Sequence, residues 1–289
     1  MDQGGYAGFE VALQGPGIAL FSFNQPERLN GMTSALKRDL IEALLQAQFD
    51  DAVRVVVFTG QGRAFCAGDD LRAYASHDGG PERQMPAIHP GHDTAIGTYT
   101  GLRGISQSLN RAVRELDKLT IAAINGTAIQ TGFSLALSCD FRIAAAGARM
   151  GSATLRFGLM PDEGGHHLLV QHLGLARALE FVMRKRIVTA DEARELGLVN
   201  EVVPPDDLLP RALDLAAELA EGPQVAMRLL KRSLYNAAEL TFPQACEDIA
   251  ARTAVVDHHP DASEGVAAWR QKRSPKFNQQ LGNTGGPTK

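Results

Sequence analysis

Cysteine is scarce: Cys66, Cys139 and Cys246 are the only three in 289 residues. They are too few and too scattered for a disulfide framework, and no two stand at a CxxC metal spacing. Histidines are dispersed without a pair at ligand spacing on a recognisable helix, so no metal site is expected. No apolar run approaches the roughly 20 residues that cross a bilayer, which argues against membrane insertion. Residues 1–8 lack both the basic start and the apolar stretch of a signal peptide, and the expected location is the cytoplasm. An excess of positive charge is missing too: 29 Lys and Arg stand against 33 Asp and Glu, a net charge of −4. The densest basic cluster is "MRKR" at 183–186, so no electrostatic footprint for nucleic acid is present. Finally, no GxGxxG and no phosphate-loop lysine supports a nucleotide site.

What remains is an ordinary globular composition, 44% hydrophobic and 21% charged. "FEVALQGPGIALFSF" alternates apolar positions about a Gly-Pro-Gly turn, which predicts an antiparallel hairpin over roughly 9–23. Thr33 and Ser34 signal a helix start, with Leu36, Leu40 and Leu44 at helical spacing. "VRVVVFTG" at 53–60 reads as a strand buried on both faces. Residues 72–98 are irregular, the kind of long loop that covers a site. Strands at "IAAIN" and "FRIAAA" follow, and beyond "MPDEGGHH" the pattern is helical throughout. Thr189 with Glu192 fits a capping box. The expected organisation is an α/β core over 1–190, a helical region over 191–277 and a frayed tail over 278–289.

Two junctions, "VVFTGQGRAFCAGDDLRAY" and "IAAINGTAIQTGFSLALSCD", run from strand through turn to helix. A helix N-terminus leaves backbone N–H groups unpaired, so either junction can hold an anion or a developing oxyanion. Plain turn geometry explains the glycines equally well, and pattern alone does not choose.

Six ordered blocks resemble the crotonase superfamily of enoyl-CoA hydratases and isomerases: "FNQPERLNGMT", "GRAFCAGDDL", "IAAINGTAIQTGFSLALSCDFRIAA", "MGSATLRFGLMPDEGG", "ADEARELGLVNEVVP" and "EGVAAWRQKRSPKF". The resemblance covers about residues 8–277. It implies a spiral of ββα turns with a C-terminal helical trimerisation region, assembled as a homotrimer or a dimer of trimers. It also implies an acyl-CoA thioester as substrate, with coenzyme A part of that substrate and no separate cofactor. The implied oxyanion donors are the N–H groups of Ala67 and Thr131, flanked by Gly68 and Gly132. Arg28 and Leu29 match a region near the CoA nucleotide, Asp69 and Asp70 extend the first loop, and Lys276 matches a lysine that reaches a neighbouring subunit's CoA.

The chain departs from the familiar hydratases where they carry two glutamates, since Ser134 and Thr154 stand there. Hydroxyl groups do not exchange protons near neutral pH, so two-glutamate hydration is not expected. Gln130 and Thr131 replace a double glycine. The resemblance offers Asp162, at an aspartate position of dienoyl-CoA isomerases, and Glu163, at an acidic position of diketone-cleaving hydrolases, as replacement bases. The competing reading is that both acids cap the helix begun by "PDEGG". Of His166 and His167, adjacent on a helix, at most one is expected to face the site. The expected function is therefore stabilisation of a thioester enolate. Double-bond isomerisation or β-dicarbonyl hydrolysis through Asp162 or Glu163, and a non-catalytic acyl-CoA-binding protein, stand as alternatives.

Overall fold

The computed structural model describes residues 1–70 and 94–280. Most of the loop expected over 72–98 thus lies outside the described residues, as does the tail from 281.

Alternation in the N-terminal segment produces the hairpin: β2 (Phe9–Gln14) pairs antiparallel with β3 (Ile18–Phe23), Phe9 opposite Phe23, and β1 (Gly4–Gly5) adds to the outer edge of β2. Thr33 caps α1 (Ser34–Phe49) by accepting from Leu36 N–H. From β4 (Val55–Gly60) onward the large sheet is parallel, since β4 joins β3 and is followed by β6 (Leu119–Ile124), β8 (Phe141–Ala145) and β11 (Glu201–Val203). Among the described residues the order across its seven strands is β1-β2-β3-β4-β6-β8-β11.

Successive residues of a strand face opposite sides, and β4 feeds two cores. Val56 and Phe58 pack with Phe9, Phe21 and the α1 residues Leu36, Leu40 and Leu44. Val55 and Val57 pack with Ile121, Ile143 and α8 (Leu208–Glu221), which presents Ala212, Ala216 and Ala220 four residues apart. Coverage on both faces explains why β4 reads as a continuous apolar run rather than an alternating one.

A second sheet of short strands sets the site. Its order is β10 (Ile187–Thr189), β9 (Arg149–Gly151), β7 (Thr127–Ile129) and β5 (Ala64–Cys66). Each turn of the spiral gives one strand to each sheet: β4 then β5, β6 then β7, β8 then β9. Because β5 and β7 are parallel neighbours, the chain leaves both in the same direction, and the loop after Cys66 lies beside the turn after Ile129.

The sheet extends past residue 190, because β11 at 201–203 completes it against β8. After α8 come α9 (Gln224–Ala237), α10 (Phe242–Asp257) and α11 (Pro260–Gln271), with His258 and His259 at the break. The expected fray from 278 is corrected at its first residue. Asn278 is buried and binds Gln224 N–H, Asp261 Oδ1 and Gly222 O at 2.8–3.0 Å. At Thr189 only half of the capping box forms: Thr189 accepts from Glu192 N–H, while the Glu192 carboxylate turns to Arg186.

Candidate active site

Where the two junctions meet, backbone touches backbone. A Cβ placed on Gly132 would lie 2.1 Å from Cys66 O, and one on Gly68 would contact Gln130 and Ile129. Gly68 also has φ +105, a conformation reserved in practice for glycine. Helix α4 (Thr131–Ser138) starts at this contact and is buried along its whole length. Its first N–H groups, beginning with Thr131, have no acceptor within the helix.

The first junction differs from expectation at Ala67. Its N–H donates to Leu29 O at 3.0 Å and is committed within the fold, which removes it as an oxyanion donor. Met32 and Asp69 form a parallel bridge in which Met32 N–H donates to Gly68 O and Asp70 N–H to Met32 O. Such a bridge directs the Asp69 N–H away from Met32. Leu29 reaches its position in the left-handed region, φ +53, after the short 3-10 turn Pro26–Arg28. Arg28, half exposed, pairs with Asp70 at 3.4 Å.

A buried polar chain crosses the meeting point. Lys37, on α1 and 2% exposed, places Nζ 2.8 Å from Asp69 Oδ1 and 3.0 Å from Ser106 Oγ. Ser106 ends a π turn (Leu102–Ser106) between α2 (Ala95–Gly101) and α3 (Gln107–Glu115). Thr131 Oγ1 lies 2.7 Å from Asp69 Oδ1 and 2.6 Å from Glu163 Oε1. Gln130 Nε2 donates to Glu163 Oε2 at 3.0 Å, while Thr154 and Ser152 hydroxyls donate to Gln130 Oε1. Gln130 itself sits at φ +49 and ψ −110, a strained conformation for a residue with a side chain. The cost of replacing the double glycine thus falls on Gln130, held by its N–H to Gly151 O and by both ends of its amide.

Glu163 does not cap. Helix α5 (Gly165–Leu173) has Gly164 at its N-cap with no side-chain cap bond, and the Glu163 carboxyl turns inward, 3% exposed. Burial chiefly, then the neighbouring Asp162 charge, pushes it up to about 7, against the Thr131 hydrogen bond and the Lys37 charge. Asp162 is half-buried, and its backbone carbonyl accepts from Gln107 Nε2 at 3.1 Å. Both acids line a groove of about 320 Å³ between α3 and the start of α5. Both His166 and His167 line it as well, where at most one was expected.

Ser134 faces the start of α5, where a Cβ on Gly165 would come 2.3 Å from its hydroxyl. Thr154 serves Gln130. Cys66 is a filler whose thiol burial pushes up to about 12. Lys276 donates its N–H to Glu264 and lines a separate groove with Arg273. Among the described residues no group of three or more His, Cys, Asp or Glu is placed to hold a metal ion, and no helix is long and apolar enough to cross a membrane.

Sequence reasoning missed Lys37 and Ser106. Lys37 left a signal, standing three and seven residues before Leu40 and Leu44 on the buried face of α1. A lysine on an apolar stripe asks for a buried partner.

Comparison with known proteins agrees with this architecture. Residues 14–280 match the family model described as enoyl-CoA hydratase/isomerase. The chain is 33% identical to 1,2-epoxyphenylacetyl-CoA isomerase of Escherichia coli over 270 residues, 90% of this chain and 95% of that protein. It is 31% identical to 2,3-dehydroadipyl-CoA hydratase of the same organism, covering 90% and 94%. The crystal structure of enoyl-CoA hydratase from Bacillus anthracis superposes with a TM-score of 0.83 at 31% identity, covering 94% of this chain and 99% of that one. The chain therefore belongs to the enoyl-CoA hydratase/isomerase family of the crotonase superfamily and is an enzyme of that kind.

Proposed function

We propose that the protein binds an acyl-CoA thioester and moves a proton along its acyl chain through an enolate, as a double-bond isomerase rather than a two-glutamate hydratase. The observation that carries this reading is Glu163: a buried carboxyl at the meeting of the two junctions, with a proton affinity near neutrality. A general base is most effective with its pKa close to the working pH. Ser134 and Thr154 offer no titratable group, and Ser134 is closed in by Gly165. Charge moving onto the thioester oxygen would be held by the N–H of Thr131 at the start of α4. One such donor contributes about 3 to 4 kcal/mol. Glu163 removes the proton at one carbon and returns it two carbons away, while Asp162 raises its proton affinity from outside.

Incubation with crotonyl-CoA in deuterated water, followed by NMR, tests the proposal. Deuterium should enter at Cα and Cγ without accumulation of 3-hydroxybutyryl-CoA. Rapid hydration would contradict it. Binding of CoA esters with no exchange in any of a series of enoyl chains would favour a non-catalytic binding protein.

Assembly forms part of the proposal. Leu230, Leu234, Phe242, Ile249, Val266 and Trp269 on α9, α10 and α11 are each more than half exposed. Apolar exposure on this scale marks a contact surface, and we propose that copies of the chain cover it in a homotrimer or a dimer of trimers. Lys276, exposed beside α11, is then available to a neighbour's CoA.

A further inference from the structure

We propose that Lys37 and the Thr131 hydroxyl are positioning residues that hold one shared proton on Glu163 and keep Asp69 ionised, so that the empty site rests with a single neutral carboxyl of fixed orientation. This rests on the reading of Glu163 as the acid/base group and says how its protonation is set.

The geometry leads to it by counting protons. Thr131 Oγ1 lies within hydrogen-bond distance of two carboxyls, Asp69 Oδ1 at 2.7 Å and Glu163 Oε1 at 2.6 Å. A hydroxyl has one proton to donate. With both carboxyls ionised, one of these two close oxygen pairs would have no proton between its atoms, so one carboxyl donates to Thr131 and the other accepts from it. Lys37 decides which. Its ammonium lies 2.8 and 2.9 Å from the two oxygens of Asp69 and donates besides to Ser106 Oγ at 3.0 Å. Asp69 is therefore the ionised member. Gln130 completes the order: its Nε2 donates to Glu163 Oε2, which leaves Oε1 to carry the proton, facing Thr131. The chain runs Glu163 Oε1–H to Thr131 Oγ1–H to Asp69 Oδ1, ending on the Lys37 ammonium.

Among the described residues, the other charged or titratable groups facing this chain are Asp162, which precedes Glu163, Asp70, tied to Arg28, the Cys66 thiol on β5, which stays neutral, and Arg111, Arg114, His166 and His167, which line the groove with Glu163. Among these residues Lys37 is the cation within hydrogen-bond distance of the chain. As pH rises the shared proton leaves, and Glu163 becomes a base. Removing the positive charge of Lys37 makes that loss harder, so the midpoint moves up.

The test reads the free protein and needs no substrate. The infrared band of a protonated carboxylic acid is followed against pH, with Glu163 identified by subtracting the Glu163→Gln spectrum. The wild type should show one neutral carboxyl band that Glu163→Gln abolishes and that titrates near pH 7. Lys37→Met should raise the midpoint by about one unit or more, Lys37→Arg should leave it in place, and Thr131→Ser should behave as wild type. In a Thr131→Val background the Lys37→Met shift should shrink, because the shared proton no longer links the two carboxyls. No Glu163 band near neutral pH would overturn the proposal, as would a Lys37→Met shift of equal size with and without the Thr131 hydroxyl. The wild-type and Glu163→Gln spectra decide the first point even if a Lys37 variant does not fold. A titrating Glu163 in a protein that exchanges no substrate proton would reject the isomerase reading and leave this one standing.

Discussion

Glu163 stabilises the fold less as pH rises. A carboxyl whose folded affinity for protons exceeds its unfolded one contributes fully below the unfolded value, and that contribution is lost as pH climbs through the folded value. With the folded value near 7 the window runs from about 4.5 to 7, and the loss across it is on the order of 3 kcal/mol. Glu163→Gln removes the titration. Its melting temperature relative to wild type should therefore rise between pH 5 and pH 8, while other titrating groups such as His172 cancel in the comparison. A constant difference across that range would contradict the assignment. Gln130 makes the converse case, since its left-handed backbone costs stability while its amide orients Glu163. Gln130→Gly should be no less stable than wild type, or more stable by about 1 kcal/mol, yet lose at least tenfold in turnover. The sequence made Glu163 visible only as one of two acids before a helix. What distinguishes it, the turn of its side chain away from the cap and onto Thr131, depends on residues 32 positions apart. Ala67 was misread for a similar reason: its acceptor, Leu29 O, belongs to a distant turn whose shape no local pattern specifies.

At the scale of elements, local chemistry was a good guide wherever a strand or helix supplies its own signal. The hairpin followed from alternation, α1 from its threonine cap, and β4 from its unbroken apolar run. Boundaries set by tertiary pairing were not legible. β11 is three residues long and exists because β8 offers it an edge, and Asn278 is fixed by bonds to Gly222, Gln224 and Asp261. Asp140, just after α4, shows how the elements are tied together. Its carboxylate accepts from Thr120 N–H and hydroxyl at the start of β6, and from Lys231 and Tyr235 on α9. Asp140→Asn would leave the buried Lys231 ammonium without its counter-charge, and breaking such a pair costs about 3 kcal/mol or more. Chemical denaturation should show that loss. A change under 1 kcal/mol would mean that α9 is held by its apolar contacts alone.

At the scale of the whole molecule, two mixed sheets and a helical end serve one arrangement. The short sheet points two loops at each other, α1 supplies a lysine from the rear, and the turn before α5 carries a carboxyl into the gap. The apolar side chains exposed on α9, α10 and α11 predict an assembly, which light scattering after size exclusion should report as three or six copies. A monomer at micromolar concentration would contradict that. The central claim concerns a single carboxyl, and the most direct measurement is the rate of deuterium exchange into crotonyl-CoA for Glu163→Gln and Asp162→Asn beside the wild type. The account predicts a loss of about 10²-fold or more for Glu163→Gln and less than tenfold for Asp162→Asn. Exchange that survives Glu163→Gln and disappears in Asp162→Asn would contradict it.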